Sequence, residues 1–181
     1  MIGRVVKVAD GDTVTIENGE RHKVRLFGID APEKKQTYGA TSKMELTSHV
    51  LGRELTLRVC GVDRYRRIVG ELILEQESVN ARMLKDGHAW HYVAYSRRRD
   101  FQSLELKARR GKLGLWKEAN PTPPWEFRRH QKKIDKQRHQ KRASNDTNTR
   151  TQRSKARETR PATPAANKNK SRPRFGVAAW L

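Results

Sequence analysis

Five strand-like segments, with a helical segment inserted after the third, predict a β+α protein built on a small closed five-stranded barrel. The layout is that of an OB-type barrel packed with about three helices. A meander packed on helices without closing is the competing architecture. A strongly basic C-terminal stretch with few apolar residues predicts a disordered tail beyond the barrel.

The segments follow in order. Val5 and Val6 flank a strand running to Val8; Asp10-Gly11 makes a turn, and Val14 and Ile16 begin a second strand. Asn18-Gly19 is a hairpin signal, because a tight two-residue turn needs positive φ. A third strand is expected from His22 to Ile29. Helical spacing of Met44, Leu46 and Val50 predicts a helix over Tyr38–Leu51 that stops at Gly52. Two more strands are expected at Glu54–Cys60 and Ile68–Leu74. Helices follow at Val79–Asp86, ending at Gly87, and at about Asp100–Arg110, ending at Gly111.

The 181 residues suit one domain and an extra segment. The expected division is a barrel domain over 1–120, a Pro/Trp linker over 121–127 and a basic, largely disordered tail over 128–181. Net charge is +20, and residues 121–181 hold 17 of the 40 Lys/Arg but only 4 of the 20 Asp/Glu. Such a chain expects a polyanionic partner, foremost nucleic acid. Trp125-Glu126-Phe127 is expected to dock on the domain, Arg128–Arg142 to be able to form a basic helix on nucleic acid, and the apolar end Phe175–Leu181 to pack or to bind a partner.

Cys60 is the only cysteine, so no internal disulfide exists, and its strand-like setting predicts a buried structural thiol. One Cys and scattered His build no zinc cluster. No apolar run is long enough to span a membrane. The N-terminus as given carries no secretion signal, which predicts a cytoplasmic protein if Met1 is the true start and a secreted or periplasmic one if a leader was removed. A monomer is expected.

Three stretches carry the chemistry: Asp10-Gly11-Asp12-Thr13, Arg25 to Glu33, and Asp63-Arg64-Tyr65-Arg66-Arg67. Asp12 shares strand parity with Val14 and Ile16, so it lies on the apolar side at the strand's mouth. A carboxylate there needs a cation or a partner. Asp30 has the opposite parity to Arg25, so both reach one place only if the chain bends; Gly28 permits a bulge and Pro32 forces an exit from the strand. Asp30 and Glu33 then stand at a corner where side chains and carbonyls converge. Oxygen ligands without His or Cys suit a hard cation, Ca2+ with Mg2+ as the alternative. Arginine suits phosphate because its planar fork donates two parallel hydrogen bonds. Taken singly, each residue has a plainer explanation as a turn former, a cap or a surface charge.

Jointly, these motifs resemble the staphylococcal nuclease (thermonuclease) family over roughly residues 3–118, and Val79-Asn80 and Leu113-Gly114-Leu115-Trp116 are similar to it as well. The resemblance implies Ca2+-dependent hydrolysis of phosphodiester bonds in DNA and/or RNA. It implies Asp12 and Asp30 as metal carboxylates with the Ala31 carbonyl as a third ligand. Glu33 would orient or deprotonate the attacking water, and Arg25 and Arg67 would bind the scissile phosphate. Tyr95 would line the nucleotide pocket, with Arg64 beside it. Departures are Ala31 in place of Thr, Arg66 where Gly or Gln is usual, and shortened loops before Arg25 and before the first helix. Arg66 would be strained if its position requires positive φ. The alternative reading is a non-catalytic OB-fold module that binds nucleic acid, and a third is an architectural polyanion binder acting mainly through its tail.

Overall fold

The structure is a computed structural model that describes residues 1–158, with side chains through Arg142. Two compact units divide the chain, Met1–Ile134 and Asp135–Leu181. In the first, β1 (Ile2–Asp10), β2 (Thr13–Glu17) and β3 (Arg21–Leu26) form the expected meander. A two-residue strand β4 (Ile29–Asp30) and helix α1 (Gly39–Val50) follow, then β5 (Glu54–Val62) and β6 (Ile68–Leu74). Next come β7 (Glu77–Ser78), α2 (Val79–Lys85), β8 (Trp90–His91) and α3 (Arg99–Arg110). A short 3-10 turn (Gly114–Lys117) and α4 (Pro124–Glu158) complete the described chain.

The sheet runs β3-β2-β1-β5-β6, and β3 pairs with β6 in parallel, which closes the barrel. Closure excludes the open meander. Alternation explains the interior: Val14 and Ile16 of β2, Val24 and Leu26 of β3, and Leu55 and Leu57 of β5 all point inward and are buried. Leu46 and Val50 of α1, Met83 and Leu84 of α2 and Phe101 of α3 cap the same core. A second cluster joins Trp90, Ala108, Leu115 and Trp116, with Tyr38 and Trp125 packed against it.

The expected third strand breaks in two. β3 ends at Leu26, and Gly28 turns the chain at φ +72° before β4 resumes at Ile29. Asn80 pins this corner from α2. Its buried side-chain amide donates to the carbonyls of Phe27 (2.9 Å) and Gly70 (3.3 Å), and its oxygen accepts the Leu72 N–H (3.1 Å). β4 then pairs with β8, Ile29 opposite His91 and Asp30 opposite Trp90, so the corner is clamped from both sides.

One expectation changes. Cys60 is exposed, not buried. Only Leu55 and Leu57 of β5 point into the core; past them the ladder is irregular between Val59 and Gly61, and the residues to Val62 are exposed although still paired with β6. Helix α4 begins at Pro124, a residue suited to a first helical turn, and runs through the Arg128–Arg142 stretch expected to be able to form a basic helix. Its residues to Ile134 belong to the first unit, and residues 135–158 make the described, helical part of the second. Phe175–Leu181, expected to pack or bind a partner, lie outside the described residues. Among the described residues no helix is long and apolar enough to cross a membrane.

A Cβ at Gly28 would stand 3.0 Å from both Phe101 and Ser96, in a backbone conformation that L-residues avoid. Gly28→Ala is therefore expected to destabilise the domain by about 2 kcal/mol or more, from the left-handed φ and the crowding together. Urea unfolding of both proteins measures it, and an unchanged midpoint would contradict the account of the corner.

Candidate active site

The site is assembled at the mouth of the barrel from the β1–β2 turn, the β3–β4 corner and the loop that follows. Asp12 is only 3% exposed. Its Oδ2 accepts the Ala31 N–H at 2.7 Å and its Oδ1 accepts the Thr13 hydroxyl at 3.0 Å. The bond from Ala31 carries the chain after β4 back onto the β1–β2 turn, so residues 19 apart in sequence share one corner. The backbone is tied there too, with the Leu26 N–H donating to the Asp12 carbonyl at 2.8 Å.

Asp30 is 1% exposed, and a carboxylate so buried must be paired. Arg25 supplies one partner. It leaves β3 beside Thr13, its register partner, and its guanidinium reaches both acids: Nη2 lies 2.7 Å from Asp30 Oδ1, and Nη1 is paired with Asp12 Oδ1. Nη2 also donates to the Ile29 carbonyl at 3.3 Å. The bend at Gly28 makes this possible, because it cancels the opposite parity of Arg25 and Asp30.

Glu33 is half-buried in the next turn. That loop is tightened by the Gln36 N–H donating to the Glu33 carbonyl (2.8 Å) and the Glu33 N–H donating to Gln36 Oε1 (3.2 Å). Helix α1 starts directly against it: a Cβ at Gly39 would fall 2.0 Å from the Glu33 carbonyl oxygen, so only glycine fits.

A residue not anticipated from sequence completes the cluster. Arg128, in the first turns of α4, grips both oxygens of Asp30, Nη2 at 2.8 Å from Oδ2 and Nη1 at 3.1 Å from Oδ1; the same Nη1 lies 2.8 Å from Glu33 Oε1. Burial works against its charge, but these carboxylates more than offset it and hold the guanidinium protonated well above its ordinary range. Nothing in the sequence separates Arg128 from its many basic neighbours. The one usable signal was the apolar pair Trp125 and Phe127, which was expected to dock just before it.

The remaining predicted residues are arranged differently. Arg67 is held in its own turn by Asp63: its N–H (3.0 Å) and Nε (2.7 Å) donate to the two Asp63 oxygens, and the Tyr65 N–H adds a bond of 2.8 Å. Arg67 directly precedes β6, whose Val69 pairs with Arg25, so it enters the strand neighbouring that of Arg25. Arg64 is exposed and lies over the Tyr65 ring at 4.9 Å, with Arg67 at 5.6 Å from the same ring. Tyr95 is 69% exposed and packs on Tyr92, which stacks at 5.5 Å on Trp125. The structure thus joins Asp12, Arg25, Asp30, Ala31 and Glu33 in one cluster, sets Arg67 with Asp63, and leaves the Arg64 and Tyr95 side chains facing solvent.

The donors Asp12 and Asp30 offer oxygen alone, a chemistry that fits a hard cation, while Ala31 turns its N–H toward Asp12. Among the described residues no three His, Cys, Asp or Glu side chains are grouped as a ready-made metal cage. A bound cation would therefore draw further ligands from a backbone carbonyl, water and substrate.

Arg66 adopts φ +61°, the left-handed region that disfavours side chains. Arg66→Gly is expected to stabilise the domain by about 0.5–1 kcal/mol, the relief of strain less the larger entropy of a free glycine. Chemical denaturation that shows no gain would mean the turn holds Arg66 without strain. Burial works to raise the Asp63 carboxyl, but bonds from the Arg67 N–H, the Arg67 side chain and the Tyr65 N–H hold it below the usual range. A carboxyl lowered in the folded state stabilises above its unfolded value, about pH 4, and that stabilisation is lost as pH falls through the folded one. Asp63→Asn should lower the melting temperature at pH 7, with the gap to wild type closing below about pH 4; a gap independent of pH would contradict this.

Residues 23–118 match the family model for staphylococcal nuclease homologues. Arg25, Asp30, Ala31, Glu33, Arg64, Arg67 and Tyr95 fall inside that segment, Asp12 precedes it and Arg128 follows it. An uncharacterized endonuclease of Escherichia coli is 42% identical over 128 residues, covering 70% of this chain and 84% of the relative. One of Haemophilus influenzae is 39% identical over 131 residues, covering 71% and 74%. A staphylococcal-like nuclease of Arabidopsis thaliana is 42% identical over 113 residues, covering 62% of this chain and 35% of the plant protein. The chain thus spans about a third of the length of the plant relatives it matches. With a closed barrel, acids and arginine joined at its mouth, and a family match over half its length, this chain belongs to the staphylococcal nuclease homologue family.

Proposed function

We propose that the protein is a metal-dependent, sequence-tolerant endonuclease that hydrolyses phosphodiester bonds of DNA and/or RNA. The observation that carries this reading is the guanidinium of Arg25 held between two buried carboxylates, Asp12 and Asp30, at an open barrel mouth. Nuclease and endonuclease names among the relatives support it. Exposed Tyr65 and Tyr95 with Arg64 suit base stacking and backbone contact, neither of which reads sequence.

In this reading Arg25 and Arg67 bind the scissile phosphate and stabilise the negative charge that grows on its oxygens. Glu33 orients a water for in-line attack on phosphorus and takes its proton. The new P–O bond forms as the bond to the 5′-oxygen breaks, and that oxygen takes a proton from solvent. Asp12 and Asp30, with the Ala31 carbonyl, would hold Ca2+ in preference to Mg2+, because flexible carboxylate and carbonyl ligation suits the larger ion. Such an ion supplies charge neutralisation at the phosphate and a lowered pKa for nearby water. Arg64 and Tyr95 contact the flanking nucleotide.

Plasmid cleavage followed with Ca2+, with Mg2+ and with chelator tests the reading. Cutting should need the divalent ion. Glu33→Gln should lower turnover by about 10²–10⁴-fold, and Arg25→Ala by about 10²-fold or more. Undiminished cutting in chelator would remove the metal from the reading, and undiminished cutting by Glu33→Gln would remove Glu33 from it. Plasmid retention without cutting under every condition would establish the binding-module alternative.

A further inference from the structure

We propose that Arg128 is a tethered counter-cation: it occupies the acid cluster while no divalent ion is bound, and metal entry must displace it. The proposal rests on reading Asp12 and Asp30 as the metal carboxylates.

The geometry supplies the argument. Asp30 has two carboxylate oxygens, and both are already engaged, Oδ1 by Arg25 and Arg128 and Oδ2 by Arg128. The guanidinium also bridges to Glu33, so it spans the space between a metal carboxylate and the carboxylate proposed to position water. With Arg128 Nη2 2.8 Å from Asp30 Oδ2, the guanidinium takes one lone pair of that oxygen and sets a positive charge beside it, which opposes the approach of a second cation. The contact is built rather than incidental. The chain leading into α4 is fixed to the barrel domain at two points: Trp125 stacks on Tyr92 and meets Trp90 edge-on at 5.5 Å, and the Gln36 side-chain amide donates to the Thr122 carbonyl. These anchors hold the Arg128 backbone near the acids, which keeps the effective concentration of its guanidinium there high.

The side chain can also leave. The Arg128 side chain is 37% exposed, whereas that of Arg25, which shares Asp30 with it, is 17% exposed. Rotation about the side-chain bonds of Arg128 would carry the guanidinium into solvent with α4 in place. Arg25 lacks that freedom, which fits it to remain and meet a phosphate. Charge works in the same direction. Three carboxylates, Asp12, Asp30 and Glu33, face the two guanidiniums of Arg25 and Arg128, and removing one guanidinium leaves a site that attracts a divalent cation more strongly. In competition, the apparent ion affinity falls in proportion to the fraction of sites that Arg128 leaves open. The same contact satisfies buried Asp30 when no ion does so.

Isothermal titration calorimetry of Ca2+ into the full-length wild type, Arg128→Met and Arg128→Lys, without nucleic acid, tests this. Arg128→Met should bind Ca2+ about ten-fold more tightly or better, with Arg128→Lys between it and wild type. Ion-free Arg128→Met should melt lower than wild type and gain more in melting temperature on saturation with Ca2+. Equal or weaker Ca2+ binding by a folded Arg128→Met overturns the proposal and leaves the metal reading standing. No Ca2+ binding by any of the three overturns both. Should Arg128→Met fail to fold, nuclear magnetic resonance of the wild-type Arg128 Nη hydrogens, which bond Asp30 and Glu33, decides: slow exchange that is lost at saturating Ca2+ supports displacement, and signals unmoved by bound Ca2+ refute it.

Discussion

The burial of Asp12 and Asp30 against the guanidinium of Arg25 is the interaction around which the molecule is arranged. Two carboxylates almost sealed from water are unfavourable unless nearby donors replace the hydration they lose. Every neighbouring element contributes to that replacement. The β1–β2 turn brings Thr13, the strand-end corner brings the Ala31 N–H, β3 brings Arg25 and α4 brings Arg128. Loss of one partner would expose the rest to the full desolvation penalty, which ties the site to the integrity of the fold.

The barrel's closure serves this arrangement. Parallel pairing of β3 with β6 fixes the direction in which Arg25 leaves the sheet and draws the Asp63–Arg67 turn toward the same edge. The buried Asn80 side chain and the β4–β8 pair hold the corner at Gly28, which reverses the face presented between Arg25 and Asp30. Stability and chemistry therefore draw on the same few contacts, and a change at Gly28 or Gly39 touches both.

Much of this was legible from the residues. Parity placed Asp12 inward, and it is buried; the opposed parities of Arg25 and Asp30 demanded a bend, and Gly28 makes it. Asn18-Gly19, the β2–β3 turn and the spans of α1 to α3 followed from local propensity, which needs no distant partner. Cys60 was misread because an apolar stretch of strand does not reveal where the core ends; the bulge that carries it outside depends on pairing with β6. A basic helix over Arg128–Arg142 was expected, but the bounds of α4 at 124–158 were not legible, since a segment with few apolar residues has no stripe to mark where its period starts and stops.

The sequence by itself determined the local units, the choice of acids and arginines, and the likeness to a nuclease family, because these reside in residue type and short spacing. Only the tertiary structure decided which charges meet. It joined Arg25 to both Asp12 and Asp30, closed the barrel through β3 and β6, and brought Arg128 across 98 positions onto Asp30. Opposite charges are abundant in this chain, and their pairing is selected by burial and by the anchoring of Trp125, which are properties of the folded whole.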